Sequence, residues 1–318
     1  MEEIFASKPK AGEPWDVAIV GSGPAAFTAA IYTTRGAAST LIIGGEKWGG
    51  QLMLTTAVDN FPGFPEGIQG PDLMEAMRKQ AERFGAEFVQ SNVESVDLSK
   101  TPFEITSAGT KYPAKTIIIA TGAATVWLDS PGISKLIGRG VSSCAPCDAP
   151  FFKDKRVAVV GGGDSAMEEA LVLTKYATEV TIIHRKDAFR ASQAMQQKVL
   201  AGGKVKVLWN TEVTEAAGEG KLEKVFLKNN KDGTTSELPL DGLFIAIGHK
   251  PETDLFVGKI DVDERGYIKL SENSKTSVPG VFVAGDVHDW RYKQAATAAG
   301  FGCMAGMDVL AYLAELKG

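Results

Sequence analysis

The residue types best suited to chemistry lie in one short run, Cys144-Ala-Pro-Cys147-Asp148. Two thiols separated by two residues can open and close a disulfide, and a flanking carboxyl can deliver and remove the proton that thiol chemistry needs. Asp is equally a helix-capping residue, so both roles stand open for Asp148. A structural zinc site needs four ligands. Beyond this pair the chain offers only Cys303 and three histidines, His184, His249 and His288. No metal is therefore expected, and Cys303, in an Ala-rich run, reads as a small buried packing residue. Cys144 and Cys147 read as a redox-active pair.

Two glycine clusters have the second recognisable spacing. Gly21-x-Gly23-x-x-Ala26 and Gly161-x-Gly163-x-x-Ala166 each follow a short β-branched run and precede good helix formers. In such a fingerprint the first glycine allows a sharp strand-to-helix turn and the second lets backbone N–H groups approach a pyrophosphate. The small third residue lets helix and strand pack closely. Each helix leads to another apolar run, Thr40–Ile43 and Val180–Ile183, so two βαβ units are expected. A further echo, Ile117–Gly122 against Leu243–Gly248, ends each half on an apolar strand with a terminal glycine.

The end of the second strand decides which nucleotide each unit prefers. In the later unit that place holds His184, Arg185 and Lys186, with Arg190 a turn on. Cations there favour a 2′-phosphate, hence NADPH. The earlier unit offers Glu46, twenty residues past Ala26, which suits a free ribose 2′-OH such as that of FAD. Gly49-Gly50-Gln51-Leu52 either lets the chain pass close to a flat ring or makes an ordinary turn. Asp286, after Ala284-Gly285, suits a ribityl hydroxyl. A helix starting near Gln294-Ala295 would aim N–H groups at the electron-rich edge of a flavin.

These elements need a scaffold, and the chain's ordinary statistics permit one. With 318 residues, two domains are expected; 35 glycines exceed the usual ~7% and ask for tight turns and close backbone approach. The net charge of −5 argues against a broad nucleic-acid surface. No run approaches the ~18 uninterrupted apolar residues of a membrane span. The polar start, Met1 to Trp15, has no apolar core of a secretory signal, so a cytoplasmic location is expected. Thr276–Asp286 reads as another buried strand and Gln294–Leu316 as a closing helix. If both return to the first half, the second half is an insertion between about residues 125 and 250.

Together these residues resemble the low-molecular-weight, bacterial-type thioredoxin reductases, of the pyridine nucleotide-disulfide oxidoreductase class, from about Trp15 to Leu316. The likeness rests on residues 21–26, 49–52, 120–122, 144–148, 161–166, 184–186 with Arg190, 284–286, and Gln294-Ala295. It implies an α/β fold of two Rossmann-like, three-layer dinucleotide-binding domains. An NADPH domain (125–250) carrying the redox pair would be inserted into an FAD domain (1–124 and 251–318). Around FAD it implies Gly21, Gly23, Pro24, Ala25, Ala26, Glu46, Gly50, Gln51, Leu52, Asn60, Ala120, Thr121, Gly122, Gly285, Asp286, Gln294 and Ala295. Around NADPH it implies Gly161, Gly163, Asp164, Ser165, Ala166, His184, Arg185, Lys186, Arg190, Ile247 and Gly248.

The resemblance further implies a homodimer that reduces thioredoxin or a thioredoxin-like protein. Cys147 would approach the flavin, Cys144 would attack the partner disulfide, and Asp148 would serve as acid–base. The domains would change orientation about a hinge near Ala123–Thr125 and His249–Thr253. Four residues depart from the common pattern: Pro146, Ala149, Lys186 and an extra Trp48. The stretch Met1 to Pro14 has no assigned counterpart. The alternative is a related flavin-dependent dithiol/disulfide oxidoreductase with a different donor or a small-molecule dithiol, against which the basic cluster argues. A third reading is a flavin-binding sensor without turnover.

Overall fold

A first strand, β1 (Trp15–Val20), is apolar over nearly its whole length and is flanked on both sides by parallel neighbours. Strands of this kind lose their alternation because both faces are covered. In the computed structural model, which describes residues 8–55 and 57–316, β1 leads through the first glycine turn to α1 (Pro24–Arg35) and β2 (Thr40–Ile43). Then come α2 (Gly70–Arg83), β3 (Glu87–Val89), β4 (Val93–Asp97), β5 (Phe103–Ser107) and the long β6 (Thr110–Ile119). Asp16 fixes the start of β1: its carboxylate accepts from the Ser39 amide and hydroxyl and pairs with Lys115 at 2.7 Å.

The chain divides into two compact units, Met1–Ala124 with Lys250–Gly318, and Thr125–His249. In the second, β7 (Val141–Ser142) and the short α3 (Ala145–Asp148) precede β8 (Arg156–Val160), α4 (Asp164–Leu173), β9 (Glu179–His184), α5 (Gln193–Ala201) and β10 (Val205–Trp209). An antiparallel sheet of β11 (Thr211–Ala217), β12 (Lys224–Asn229) and β13 (Thr235–Pro239) intervenes before β14 (Gly242–Ile245). The parallel sheet runs β7-β14-β8-β9-β10.

The first unit is completed by β15 (Val281–Val283) and α6 (Ala295–Glu315). Its sheet runs β3-β2-β1-β6-β5-β4, and β15 joins β6 in parallel beyond the stretch where β5 pairs antiparallel. The strand expected over Thr276–Asp286 is thus only three residues long. Thr276 turns away, its hydroxyl and amide both bonded to the Val281 carbonyl.

Helix α6 is long and apolar enough to cross a membrane by length and composition. Counting uninterrupted apolar residues missed it, because Thr297, Asp308 and three glycines break the run. One face of this helix is a core face: Ala298, Gly302, Ala305, Gly306, Val309 and Leu313 are buried. A Cβ at Gly302 would strike the Ala25 carbonyl, and one at Gly306 would meet Tyr32 and Ala29 of α1. Small residues therefore set how closely α1 and α6 approach.

Both glycine turns solve the same steric problem. Gly21 has φ +125°, and a Cβ there would overlap the carbonyl of Ala120 just past β6; a Cβ at Gly161 would overlap the carbonyl of Ala246 just past β14. Backbone cannot swing aside as a side-chain tip can. Gly21→Ala and Gly161→Ala are each expected to lower stability by about 1–3 kcal/mol or more through overpacking. Gly63→Ala is the comparison, since Gly63 also has positive φ but nothing within 4 Å of its Cβ position. Denaturant midpoints of the three variants check this, and equal losses would assign the effect to φ alone.

Candidate active site

The Cys144–Cys147 disulfide opens α3, with the two Cα atoms 5.3 Å apart. Cys144 is the extended N-cap residue, and Pro146 sits in the first turn, where a missing N–H forfeits no helical bond. The turn is closed by the amides of Cys147 and Asp148, which donate to the Cys144 carbonyl at 3.2 and 3.1 Å. Asp148 makes no side-chain capping bond at the turn that follows. Instead its carboxylate accepts the Ser142 hydroxyl at 2.6 Å, and that same oxygen accepts the Cys144 amide at 3.0 Å. Burial pushes the Asp148 carboxyl above its ordinary range, and the Ser142 bond opposes the rise.

The basic loop after β9 is tied down along its backbone. The carbonyls of Arg185, Lys186 and Ala188 accept from Asn230 Nδ2, the Asn210 amide and His184 Nε2, respectively. The amides of Arg190 and Ala191 donate to the Gly162 carbonyl, at 2.7 and 3.1 Å. Ser192 clamps the end through its amide and hydroxyl, both donated to Asp164 Oδ1. Arg185, Lys186 and Arg190 are exposed, and among the described residues their side chains have no ion-pair partner; the loop's one pair is Lys231–Asp187. Gly163 opens α4 without a side-chain cap, and no atom lies within 4 Å of its Cβ position. Beyond β14, Gly248 has φ +123° and equally open space, with Ile247 before it.

Two residues of this group are engaged within the unit. His184 is 6% exposed, lies under Gly162 and packs on Phe189 and Trp209. With one nitrogen on the Ala188 carbonyl, it shapes the basic loop from below. Asp164 likewise serves the loop through Ser192. Neither arrangement has a sequence signature beyond the residue types themselves.

In the first unit the expected residues collect at the carboxyl ends of parallel strands, where ligands bind in open α/β sheets. Gly23, with open space at its Cβ position, precedes Pro24, Ala25 and Ala26 at the uncapped start of α1. Glu46 is exposed past β2, its amide held by Asn92. Gly50–Leu54 form a 3-10 turn, anchored by the Gly49 amide on Ser22 Oγ; that hydroxyl in turn donates to the Gly44 carbonyl. Trp48 is accommodated as packing, edge-on to Phe27 and Phe88. Asn60 Nδ2 donates to Gln294 Oε1 at 3.2 Å, and Gln294 caps α6, where Ala295 begins. Past β6 follow Ala120, Thr121 and Gly122; Thr121 donates to the Glu252 carbonyl.

Gly285 and Asp286 follow β15. Asp286 Oδ1 is buried without a hydrogen-bond partner among the described residues. Burial raises this carboxyl to about 7, helped by the Asp289 charge and opposed by Lys293. An orphaned carboxylate oxygen beside an uncapped helix start and glycine-lined turns fits a hydroxyl-rich dinucleotide. Sequence reasoning missed His288, which packs edge-on to Phe301 and is held below its ordinary range by burial. Cys303 also differs from expectation: it is partly exposed, with Sγ 4.0 Å from Met307 Sδ, not sealed in the core.

Two Rossmann-like units and a Cys-x-x-Cys disulfide define a dinucleotide-dependent disulfide oxidoreductase. Residues 15–302 match the pyridine nucleotide-disulphide oxidoreductase family, and the chain belongs to it. The chain is similar to the thioredoxin reductase of Streptomyces clavuligerus, at 52% identity over 95% of this chain and 94% of the relative. It is 49% identical to that of Rickettsia conorii, over 93% and 97%. Among solved structures, thioredoxin reductase from Giardia duodenalis is similar with TM-score 0.90 and 42% identity, covering 95% of this chain and 99% of that one. Flavin and pyridine nucleotide are the cofactors of this family.

The buried Asp286 predicts a pH-dependent liability in the flavin-free protein. Its folded pKa of about 7 exceeds the ordinary 3.8, so the folded state binds more protons between those values. This contribution is favourable at low pH and is lost as pH rises through 7. Asp286→Asn should raise the thermal midpoint of the flavin-free protein by about 5 °C at pH 8. The gain should shrink as pH falls toward 4, and flavin retention should drop. An equal gain at both pH values would contradict the burial argument.

Proposed function

We propose that the protein is an NADPH-dependent flavoenzyme that reduces the disulfide of thioredoxin, or of a thioredoxin-like protein, through FAD and the Cys144–Cys147 pair. The observation that carries this reading is the Cys144–Cys147 disulfide, which shares one compact unit with the second glycine turn and its basic loop. Residues 125–249 are then the NADPH domain, and residues 1–124 with 250–318 the FAD domain. Named thioredoxin reductases similar over nearly the full chain support the partner assignment. The reading also takes the enzyme to be a homodimer in the cytoplasm.

NADPH is favoured over NADH because three cations, without ion-pair partners among the described residues, stand on a backbone held at six carbonyl and amide positions. With the loop backbone already held, only the side-chain rotamers remain to be ordered when the guanidinium groups bind a 2′-phosphate. Lys186 supplies a point charge where a second guanidinium would give a fork. In the other unit, Gly21, Gly23 and the α1 amides would take the pyrophosphate of FAD, Glu46 a ribose hydroxyl and Asp286 a ribityl hydroxyl. Gln294 and the start of α6 would meet the ring edge. When bound, FAD supplies the two-electron relay between nicotinamide and disulfide.

The chain's own part is thiol exchange. With the pair reduced, the Cys144 thiolate attacks one sulfur of the thioredoxin disulfide. That bond breaks, a mixed disulfide forms, and the departing thioredoxin thiolate takes a proton. The Cys147 thiolate then attacks the Cys144 sulfur, re-forming the internal disulfide and releasing the second thioredoxin thiol. Asp148 is the proton carrier: burial raises its proton affinity, so it can hold the proton a leaving thiolate needs.

Steady-state kinetics with both donors test the donor assignment. Arg185→Ala and Arg190→Ala should each raise KM for NADPH about tenfold or more, with kcat little changed and NADH kinetics untouched. Equal losses with both nucleotides would contradict it.

A further inference from the structure

Ser142 sits at the end of β7, 8% exposed, two residues ahead of the disulfide. Its hydroxyl makes two bonds of opposite sense. It donates to Asp148 Oδ2 at 2.6 Å and accepts the Cys144 amide at 3.0 Å. One oxygen thus joins the acid at the end of α3 to the cysteine backbone at its start. Neither the redox pair nor the cofactor-binding residues require a hydroxyl here; a strand end facing a core would accept alanine.

We propose that Ser142 is the positioning residue for the proton-transfer step of thiol exchange, fixing the Asp148 carboxyl against the turn that carries both sulfurs. This rests on the thiol-exchange reading above. The reasoning is geometric. Asp148 ends a helix of four residues, too short to hold a side chain by its own regularity. Its carboxyl has one other route to a fixed rotamer, a bond from outside the helix, and Ser142 supplies it. Because Ser142 is itself held by the Cys144 amide, a shift of the turn carries acid and cysteine together.

The serine also tunes the acid. A hydroxyl donated to the carboxylate favours the charged form, while burial favours the neutral one. The groups packed around Asp148 add little charge. Helix α4 contributes Ala166, Met167 and Ala170 to the shared core, the turn after α3 contributes Ala149 and Phe152, and β14 contributes Phe244. The charged residues on these elements are Asp164, Glu168 and Glu169 of α4 and Lys153, Asp154 and Lys155 beyond the turn, and none is among the causes of the Asp148 shift. Removing the hydroxyl therefore leaves burial unopposed.

The test compares holoenzyme of wild type, Ser142→Ala, Asp148→Asn and the double variant. NADPH oxidation by a one-electron dye reads the donor and flavin steps without the dithiol and should be equal in wild type and Ser142→Ala. Thioredoxin reduction by Ser142→Ala should lose about tenfold in kcat at neutral pH with KM for thioredoxin little changed. The alkaline limb of its pH profile should move up by about one unit. In the Asp148→Asn background, Ser142→Ala should cost nothing further, because a positioning residue acts only through the group it positions.

Wild-type rates in Ser142→Ala, or an undiminished loss on top of Asp148→Asn, would overturn the proposal. If wild type does not reduce thioredoxin, the partner assignment fails, and an aromatic disulfide as acceptor carries the same four-way comparison. Should the alanine variant fold poorly, Ser142→Cys keeps the shape with a weaker donor. It must then show a smaller loss and the same absence of effect in the Asp148→Asn background.

Discussion

The constraint on which the molecule depends is the contact between a strand-end carbonyl and the first glycine of each βα turn. Gly21 lies where any Cβ would enter the Ala120 carbonyl, and Gly161 does the same against Ala246. With no side chain there, the strand carrying Ala120 or Ala246 packs directly beneath the turn, and the following helix starts without a cap. The first N–H groups of a helix have no acceptor within it, and the space at the Cβ positions of Gly23 and Gly163 is open. Each unit repeats this arrangement. Around the first it collects Glu46, the 49–52 turn and Asp286; around the second, the anchored loop with Arg185, Lys186 and Arg190.

The two units spend buried polar groups differently. In the first, Asp286 keeps a carboxylate oxygen without a partner among the described residues and carries a strongly raised pKa. Such a group destabilises the protein by itself and is useful only toward a ligand hydroxyl. In the second, the polar groups turned inward have partners within the unit: His184 on the Ala188 carbonyl and Asp148 on Ser142. That difference suits a resident cofactor in one unit and, in the other, a nucleotide that comes and goes over a preformed surface.

Much of this was legible in the sequence because it is carried by strong local signals. Glycine clusters after β-branched runs mark the two turns, and the Cys-x-x-Cys spacing marks the redox pair. The return of the tail to the first sheet could be read from the unpaired apolar run at Val281–Val283 and the Ala-rich run after it. What was hidden depends on partners distant in sequence. Nothing local distinguishes a buried His184 from an exposed one; Phe189 and Trp209 decide it. Nor does anything local show that the Asp164 carboxylate accepts from Ser192, 28 residues on. The antiparallel sheet β11–β13 alternates in burial more than in residue type: Lys224-Val-Phe-Leu-Lys-Asn229 has three apolar residues in a row, so a period-two count does not find it. Ser142 stood two residues from the thiols, and only the fold of α3 brings Asp148 back onto it.

The central claim is that electrons pass from NADPH through a bound flavin to the Cys144–Cys147 pair and on to thioredoxin. Anaerobic titration of the flavin-loaded protein with NADPH, followed by oxidised thioredoxin, tests it most directly. The account predicts that the flavin absorbance bleaches with NADPH and returns when thioredoxin is added. In Cys147→Ser it should bleach and stay bleached. Bleaching by NADH alone, or recovery with thioredoxin in Cys147→Ser equal to that of wild type, would contradict it.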